Sequence, residues 1–192
     1  MSSRTESKLT EAEYLALERR SETKNEFFAG EMFALAGTSL RHNKIVQNIV
    51  VSLHGQLRGG PCQAFFSDVR VKAGRAGLYT YPDVVVVCGD LRYLDAELDT
   101  LLNPKLIVEV LSPSTEGYDR GKKFEMYRTI DTFAEYLLVA QDRLYVEKHV
   151  KLEDGSWRMT EATQLEGVVV LETLSCQLRL SDVYEGAELG AL

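Results

Sequence analysis

Two short, wholly apolar runs constrain this chain more than anything else in it. They are Val84-Val85-Val86-Val87 and Leu106-Ile107-Val108, the second resuming as Val110-Leu111. Runs of this length without polar alternation fit strands buried on both faces at the centre of a sheet. Each run carries an acid, with Asp83 opening the first and Glu109 sitting inside the second. An ionised carboxylate in so apolar a strand is costly unless it is paired, hydrogen-bonded or bound to a metal. One such acid is readily a structural salt bridge. Two of them point to a shared site where a divalent cation offsets their repulsion.

The rest of the chain supplies the frame. Thr10-Glu11-Ala12-Glu13 fits a capping box that opens a short helix carrying Tyr14, Leu15 and Leu17. Residues 25–36 read as a hairpin turning near Ala29-Gly30. From Ser39 to Arg58 the apolar residues Val46, Ile49, Val50, Leu53 and Leu57 recur at three- and four-residue steps, an amphipathic helix ended by Gly59-Gly60-Pro61. Strands are expected over 64–72 and 79–87, joined through Gly74 and Gly77, with a loop and a helical turn over 90–103. A helix over 118–130 presents Phe124, Tyr127 and Ile130 to the core, and strands follow at 134–139, 144–150, 157–160 and 167–171. The pattern predicts one domain over residues 1–192, with its core at about 10–185: a mixed α/β fold with one sheet and helices packed on it.

Composition narrows the function. The chain has 192 residues, with 22 lysines and arginines against 29 acids and a net charge of −7. Nucleic-acid binders are usually basic, because phosphate neutralisation supplies most non-specific affinity. An acidic binder must concentrate its positive charge locally or bridge to phosphate through metal ions. No apolar run approaches the roughly 20 residues that span a bilayer, and Met1 to Glu6 has no signal-peptide core, so a cytoplasmic location is expected. Cys62, Cys88 and Cys176 are far apart and odd in number, which predicts buried free thiols in a reducing compartment. No Walker-type phosphate loop, dinucleotide fingerprint or Gly-x-Ser-x-Gly elbow is present.

Several further residues are candidates. Lys122 and Lys123 fall in the first turn of the 118–130 helix, where the dipole disfavours a cation. Either they form a solvated basic end, or one of them turns toward the carboxylates. His42 shares a helix stripe with Val46, Ile49 and Leu53, which fits a hydrogen-bonded core histidine or a group near the metal. Asp68 and Lys72 are weaker candidates for the cleft, and His54 and His149 read as surface residues.

Three blocks of sequence resemble the Uma-two family of restriction-endonuclease-like proteins: Tyr81-Pro82-Asp83-Val84-Val85-Val86-Val87, Ile107 through Thr115, and Asp119 through Tyr127. Asn25 to Glu31, His42-Asn43 and Glu135 to Val139 match as well. The resemblance implies a PD-(D/E)XK fold, with a central mixed sheet flanked by helices, an added N-terminal hairpin and C-terminal strands. It implies a DNA endonuclease in which Asp83, Glu109 and the Val110 carbonyl hold Mg²⁺, with Mn²⁺ as an alternative. In the superfamily the lysine lies two residues after the second acid, a position held here by Leu111. Lys123 is the family-matching lysine, and Glu26, ahead of Glu31, is the further acid. DNA and a second copy of the chain are the expected partners, with no membrane and no organic cofactor. Two alternatives stay open. One is a catalytically silent nuclease fold acting as a DNA-binding or scaffold module. The other is a structural domain whose acids pair with Arg70, Arg120 or Arg128.

Overall fold

The computed structural model describes residues 8–74 and 77–189. In chain order the elements are α1 (Glu11–Glu18), β1 (Asn25–Phe28), β2 (Glu31–Ala34), α2 (Leu40–Leu57), β3 (Cys62–Phe66), β4 (Arg70–Ala73), β5 (Leu78–Thr80), β6 (Val84–Cys88), β7 (Thr100–Leu101) and β8 (Leu106–Leu111). Then come α3 (Glu116–Tyr118), a π-helical turn (Asp119–Lys123), α4 (Phe124–Tyr127), β9 (Glu135–Ala140), β10 (Val146–Lys151), β11 (Trp157–Ala162), β12 (Val168–Leu171), β13 (Cys176–Arg179) and α5 (Leu180–Val183).

The fold is mixed α/β, but the strands among the described residues form three sheets rather than the single one expected. A six-stranded sheet runs β11-β10-β9-β8-β6-β3, a five-stranded sheet runs β2-β1-β5-β4-β7, and β12 pairs with β13 alone. The division arises where the two expected long strands break. Ser67 adopts a left-handed conformation at φ 64°, and β3 ends before it. Pro82 has no amide hydrogen to give to a ladder, and β5 ends before it. Each predicted strand therefore begins in one sheet and finishes in the other: β3 pairs antiparallel with β6, and β4 pairs with β5. The C-terminal strands extend the larger sheet through β10 and β11, and the N-terminal hairpin joins the smaller one.

The two apolar runs do become neighbours in the larger sheet, with Val84 opposite Val108 in an antiparallel pair. Strands β8 and β9 run parallel and are buried at every position. Side chains alternate across this sheet. Val84, Val86, Leu106, Val108 and Val110 pack with Ile45, Ile49 and Leu53 of α2. Val85, Val87, Ile107 and Leu111 pack with Tyr127, Phe133 and, from the smaller sheet, Val71 and Leu78. Glu109 lies between Ile107 and Leu111 on this second face, turned toward the 116–127 segment.

That segment departs from a regular helix. Its Asp119–Lys123 turn is π-helical, a form that often marks functional sites, and it brings both Asp119 and Lys123 into the interior. A small third core joins Tyr14, Leu15, Phe27 and Tyr79 beneath α1, whose capping box forms as expected.

The cysteines also differ from expectation. Cys62 and Cys88 are register partners on β3 and β6 and form a disulfide, leaving Cys176 as the buried free thiol. Antiparallel pairing places residues that are 26 apart in sequence across from each other, which their spacing does not reveal. Among the described residues no helix is long and apolar enough to cross a membrane.

Candidate active site

Asp83 stands at the break between the two sheets. Its carbonyl accepts the Ser67 amide hydrogen at 3.2 Å, so the left-handed Ser67 braces the acid's own backbone. The carboxylate is held through Oδ2, which accepts the Val110 N–H at 2.7 Å and lies 3.2 Å from His42 Nε2. Its side chain keeps 21% exposure.

Glu109 is 4% exposed. Its Oε1 accepts a hydrogen bond from the Tyr127 hydroxyl at 2.8 Å and lies 3.3 Å from Lys123 Nζ. The same ammonium reaches Glu26 Oε1 at 3.0 Å and Asp119 Oδ1 at 3.2 Å. The Asp119 approach is a charge contact, because that oxygen has no hydrogen-bond partner among the described residues. Glu26, on β1, also accepts the Thr80 hydroxyl. One lysine thus gathers acids from β1, β8 and the π-helical turn.

Burial governs the protonation of this cluster. It pushes the Glu109 carboxyl well above the usual range. Lys123 and the Tyr127 hydrogen bond oppose that rise, while Asp119 and Asp83 add to it by repulsion. Asp119 is raised chiefly by burial too, with Lys123 acting against it. Burial alone would lower Lys123, but Glu109, Glu26 and Asp119 outweigh it and hold the ammonium well above the ordinary lysine value. Tyr118 is pushed up to about 12 by burial and then by Glu26. The acids therefore outnumber the one lysine that serves them, and the cluster favours additional positive charge.

These groups line a cleft of about 340 Å³ walled by residues 35–39, Ser112, Ser114, Thr115 and Gln141. A larger cleft of about 550 Å³ opens beside Lys72, Arg92, Met126 and Asp131, but it holds none of the clustered acids. Among the described residues no three His, Cys, Asp or Glu side chains converge closely enough to hold a metal by themselves.

Asp83, Glu109, Lys123 and Glu26 all meet at this cleft. The other candidates are placed as follows. His42 touches Asp83. Glu31 is exposed at the start of β2. Asp68 pairs with Lys24 at the surface. Lys72 is bound by Glu11 at 2.6 Å, and Lys122 extends over the Phe28 ring, 4.8 Å from its centroid. Leu111 is buried in the apolar core, so the lysine beside the acids comes from the following segment. His149 is not the surface residue expected. It packs 4.7 Å from the Phe124 ring and bonds Glu147 at 2.6 Å.

The suggested arginine partners go elsewhere: Arg70 to Asp99, Arg120 to Glu116 and Glu147, and Arg128 over Phe124. Sequence reasoning missed Asp119, Tyr127 and Thr80 as members of the cluster. The four-residue step from Asp119 to Lys123, and from Lys123 to Tyr127, is the signal that could have grouped two of them.

A family model described as "Uma2: Putative restriction endonuclease" matches residues 11–182. Two uncharacterized proteins of Synechocystis sp. (strain ATCC 27184 / PCC 6803 / Kazusa) are similar across most of their length. The first, sll1609, is 39% identical over 153 residues, covering 80% of this chain and 86% of that protein. The second, slr1290, is 34% identical over 179 residues, covering 93% of each. The crystal structure of a putative nuclease belonging to DUF820 from Anabaena variabilis ATCC 29413 shares the fold. It has a TM-score of 0.73 at 16% identity and covers 90% of this chain and 96% of that one. The chain belongs to the Uma2 family, whose description is "Putative restriction endonuclease".

Proposed function

We propose that this protein is a metal-dependent DNA endonuclease of the PD-(D/E)XK type that hydrolyses phosphodiester bonds at the Asp83–Glu109 cleft. The observation that carries this reading is the surplus of buried carboxylates around one ammonium, opening on a cleft through the part-exposed Asp83. Family membership supports it.

The donor set suits a hard divalent cation. Asp83, Glu109 and the Val110 carbonyl are all oxygen donors, and Mg²⁺ commonly takes one or two carboxylates and keeps several waters. When bound, Mg²⁺ or Mn²⁺ would polarise the scissile phosphate and lower the pKa of a coordinated water. Lys123, 3.3 Å from Glu109, steadies the charge that develops on the phosphate. Its raised pKa keeps that positive charge at every physiological pH. Glu26 and Asp119 hold the ammonium in place, and Tyr127 orients Glu109. The apolar face around Ile107 and Leu111 keeps water from behind the site. DNA is the substrate and a homodimer is the working unit, since cutting both strands calls for two such sites.

The alternative is a catalytically silent nuclease fold that binds DNA or serves as a scaffold. Leu111 in the usual lysine position and the net charge of −7 favour it. Cleavage of supercoiled and linear DNA with Mg²⁺, run beside Asp83→Asn, separates the two. The proposed enzyme nicks DNA only with the metal and loses that activity on substitution. Unchanged nicking by the variant would overturn the assignment of Asp83. Absence of Mg²⁺ or Mn²⁺ binding at millimolar concentration in calorimetry would favour the silent module.

A further inference from the structure

Asp83 is gripped by two groups at the break between the sheets, and one grip comes from a helix that the chemistry above leaves unused. The Val110 N–H and His42 Nε2 meet the same oxygen, Oδ2. His42 sits in the first turn of α2 and is 7% exposed.

Its backbone is fixed as firmly as its ring. The His42 N–H donates to Ser39 Oγ at 3.1 Å, and the Ser39 hydroxyl donates to Gln141 Oε1 at 2.8 Å. The Gln141 amide in turn donates to the Leu111 carbonyl at 3.0 Å. Leu111 lies one residue beyond Val110 on β8. Hydrogen bonds and the 3.2 Å contact of His42 with Asp83 therefore close a ring from β8 through Gln141, Ser39, His42 and Asp83 back to β8. This ring fastens the start of α2 across the ends of the strands that carry the two acids.

The ring nitrogen left over has a cost. Nε2 faces Asp83 at 3.2 Å, and Nδ1 is buried without a hydrogen-bond partner among the described residues. Buried polar atoms rarely stay unsatisfied, and each one calls for an explanation. A leucine or phenylalanine on this stripe, beside Ile45, Val46 and Ile49, would fill the space without that cost. What such a residue could not supply is the donor to Asp83.

We propose that His42 is a positioning residue. Together with the Val110 N–H it pins one oxygen of Asp83, so that the other oxygen is presented to a divalent cation in the cleft. The inference rests on the metal-dependent reading given above. Groups that orient a ligating carboxylate or histidine typically change metal affinity by about 10- to 100-fold when removed.

The test compares Mn²⁺ binding by calorimetry in the intact protein, in His42→Phe and in His42→Gln, with thermal unfolding of each as a control. The glutamine amide reaches about as far as Nε2 and restores the donor, whereas phenylalanine fills the volume without one. His42→Phe is expected to bind at least about tenfold more weakly, and His42→Gln to recover most of that loss. Equal affinity in wild type and His42→Phe overturns the inference, as does a loss of the same size in both variants. Failure of the wild type to bind Mn²⁺ overturns the metal-dependent reading itself and this inference with it.

Ring ¹⁵N spectra of the metal-free protein give a second measurement that does not need the His42 variants to fold. The Nε2–H tautomer is expected, with its signal shifted by Asp83→Asn. An Nδ1–H tautomer, or no response to that substitution, overturns the inference.

Discussion

Replacing Lys123 with methionine removes the one cation that, among the described residues, serves Glu26, Glu109 and Asp119 while keeping a similar apolar stem. At separations of 3.0, 3.3 and 3.2 Å, each pair has a gross attraction of about 5 kcal/mol at an effective dielectric of about 20. Most of that is offset by the cost of taking four charges out of water, so the gross figures do not add up to stability. The net consequence of removing one partner from a buried ion pair is a loss of about 3–5 kcal/mol, because the remaining charges are left uncompensated. In a domain of this size that corresponds to roughly 6–20 °C in the melting temperature.

The loss carries a pH signature. Without the ammonium, Glu109 and Asp119, which burial already raises, lose the charge that opposed the rise, so the folded variant binds more protons than its unfolded chain, and its stability falls as pH rises. The gap between wild type and Lys123→Met is therefore largest near pH 8 and narrows toward pH 5. Urea unfolding at pH 5, 6, 7 and 8 measures it. A gap below about 1 kcal/mol that does not change with pH would refute the view that Lys123 is the buried counter-ion of the cluster.

Two further predictions concern the frame around the site. Burial raises Glu135 to about 7, with the Thr173 hydroxyl opposing and Glu172 adding to the rise. Between about 4.5 and 7 the folded state holds a proton that the unfolded state has lost, so this group's contribution to stability is present at low pH and fades as pH rises through 7. Glu135→Gln should flatten that part of the stability profile, by on the order of 3 kcal/mol across the window, and an unchanged urea profile would count against it. Glu172, whose burial is outweighed by Lys148, its own backbone and Glu135, is held down at about 2, below this window. Reducing the Cys62–Cys88 bridge, which closes a 26-residue separation, should lower unfolding stability by about 3.5 kcal/mol on the chain-entropy account. If dithiothreitol leaves the urea midpoint unchanged, that bridge contributes nothing to stability.

The sequence by itself determined which segments could be central. The runs at 84–87 and 106–108 had no polar face to expose, so they had to be buried. The acids embedded in them, Asp83 and Glu109, had to find partners. The 39–58 helix and the 25–36 hairpin were legible for a similar reason, since local periodicity and turn chemistry fix them. The Pro-Asp and Glu-Val-Leu-Ser-Pro-Ser-Thr blocks carried the family.

What the sequence left open depends on contacts between residues far apart in the chain. The strands over 64–72 and 79–87 were read as continuous; Pro82 was a local signal against the second, but nothing local shows that each one changes sheet. Ser67 and Pro82 become breaks only when two sheets compete for the strand ends. The Cys62–Cys88 bridge depends on the register of β3 and β6, and the pairing of His42 with Asp83 depends on where α2 lies across the sheet. Lys123 gave the sharpest case. Its position in the chain made it either a solvated helix end or a partner of the acids. The tertiary structure chose the second, because a π-helical turn carries Asp119 and Lys123 inward, onto the face of the sheet where Glu109 was already buried.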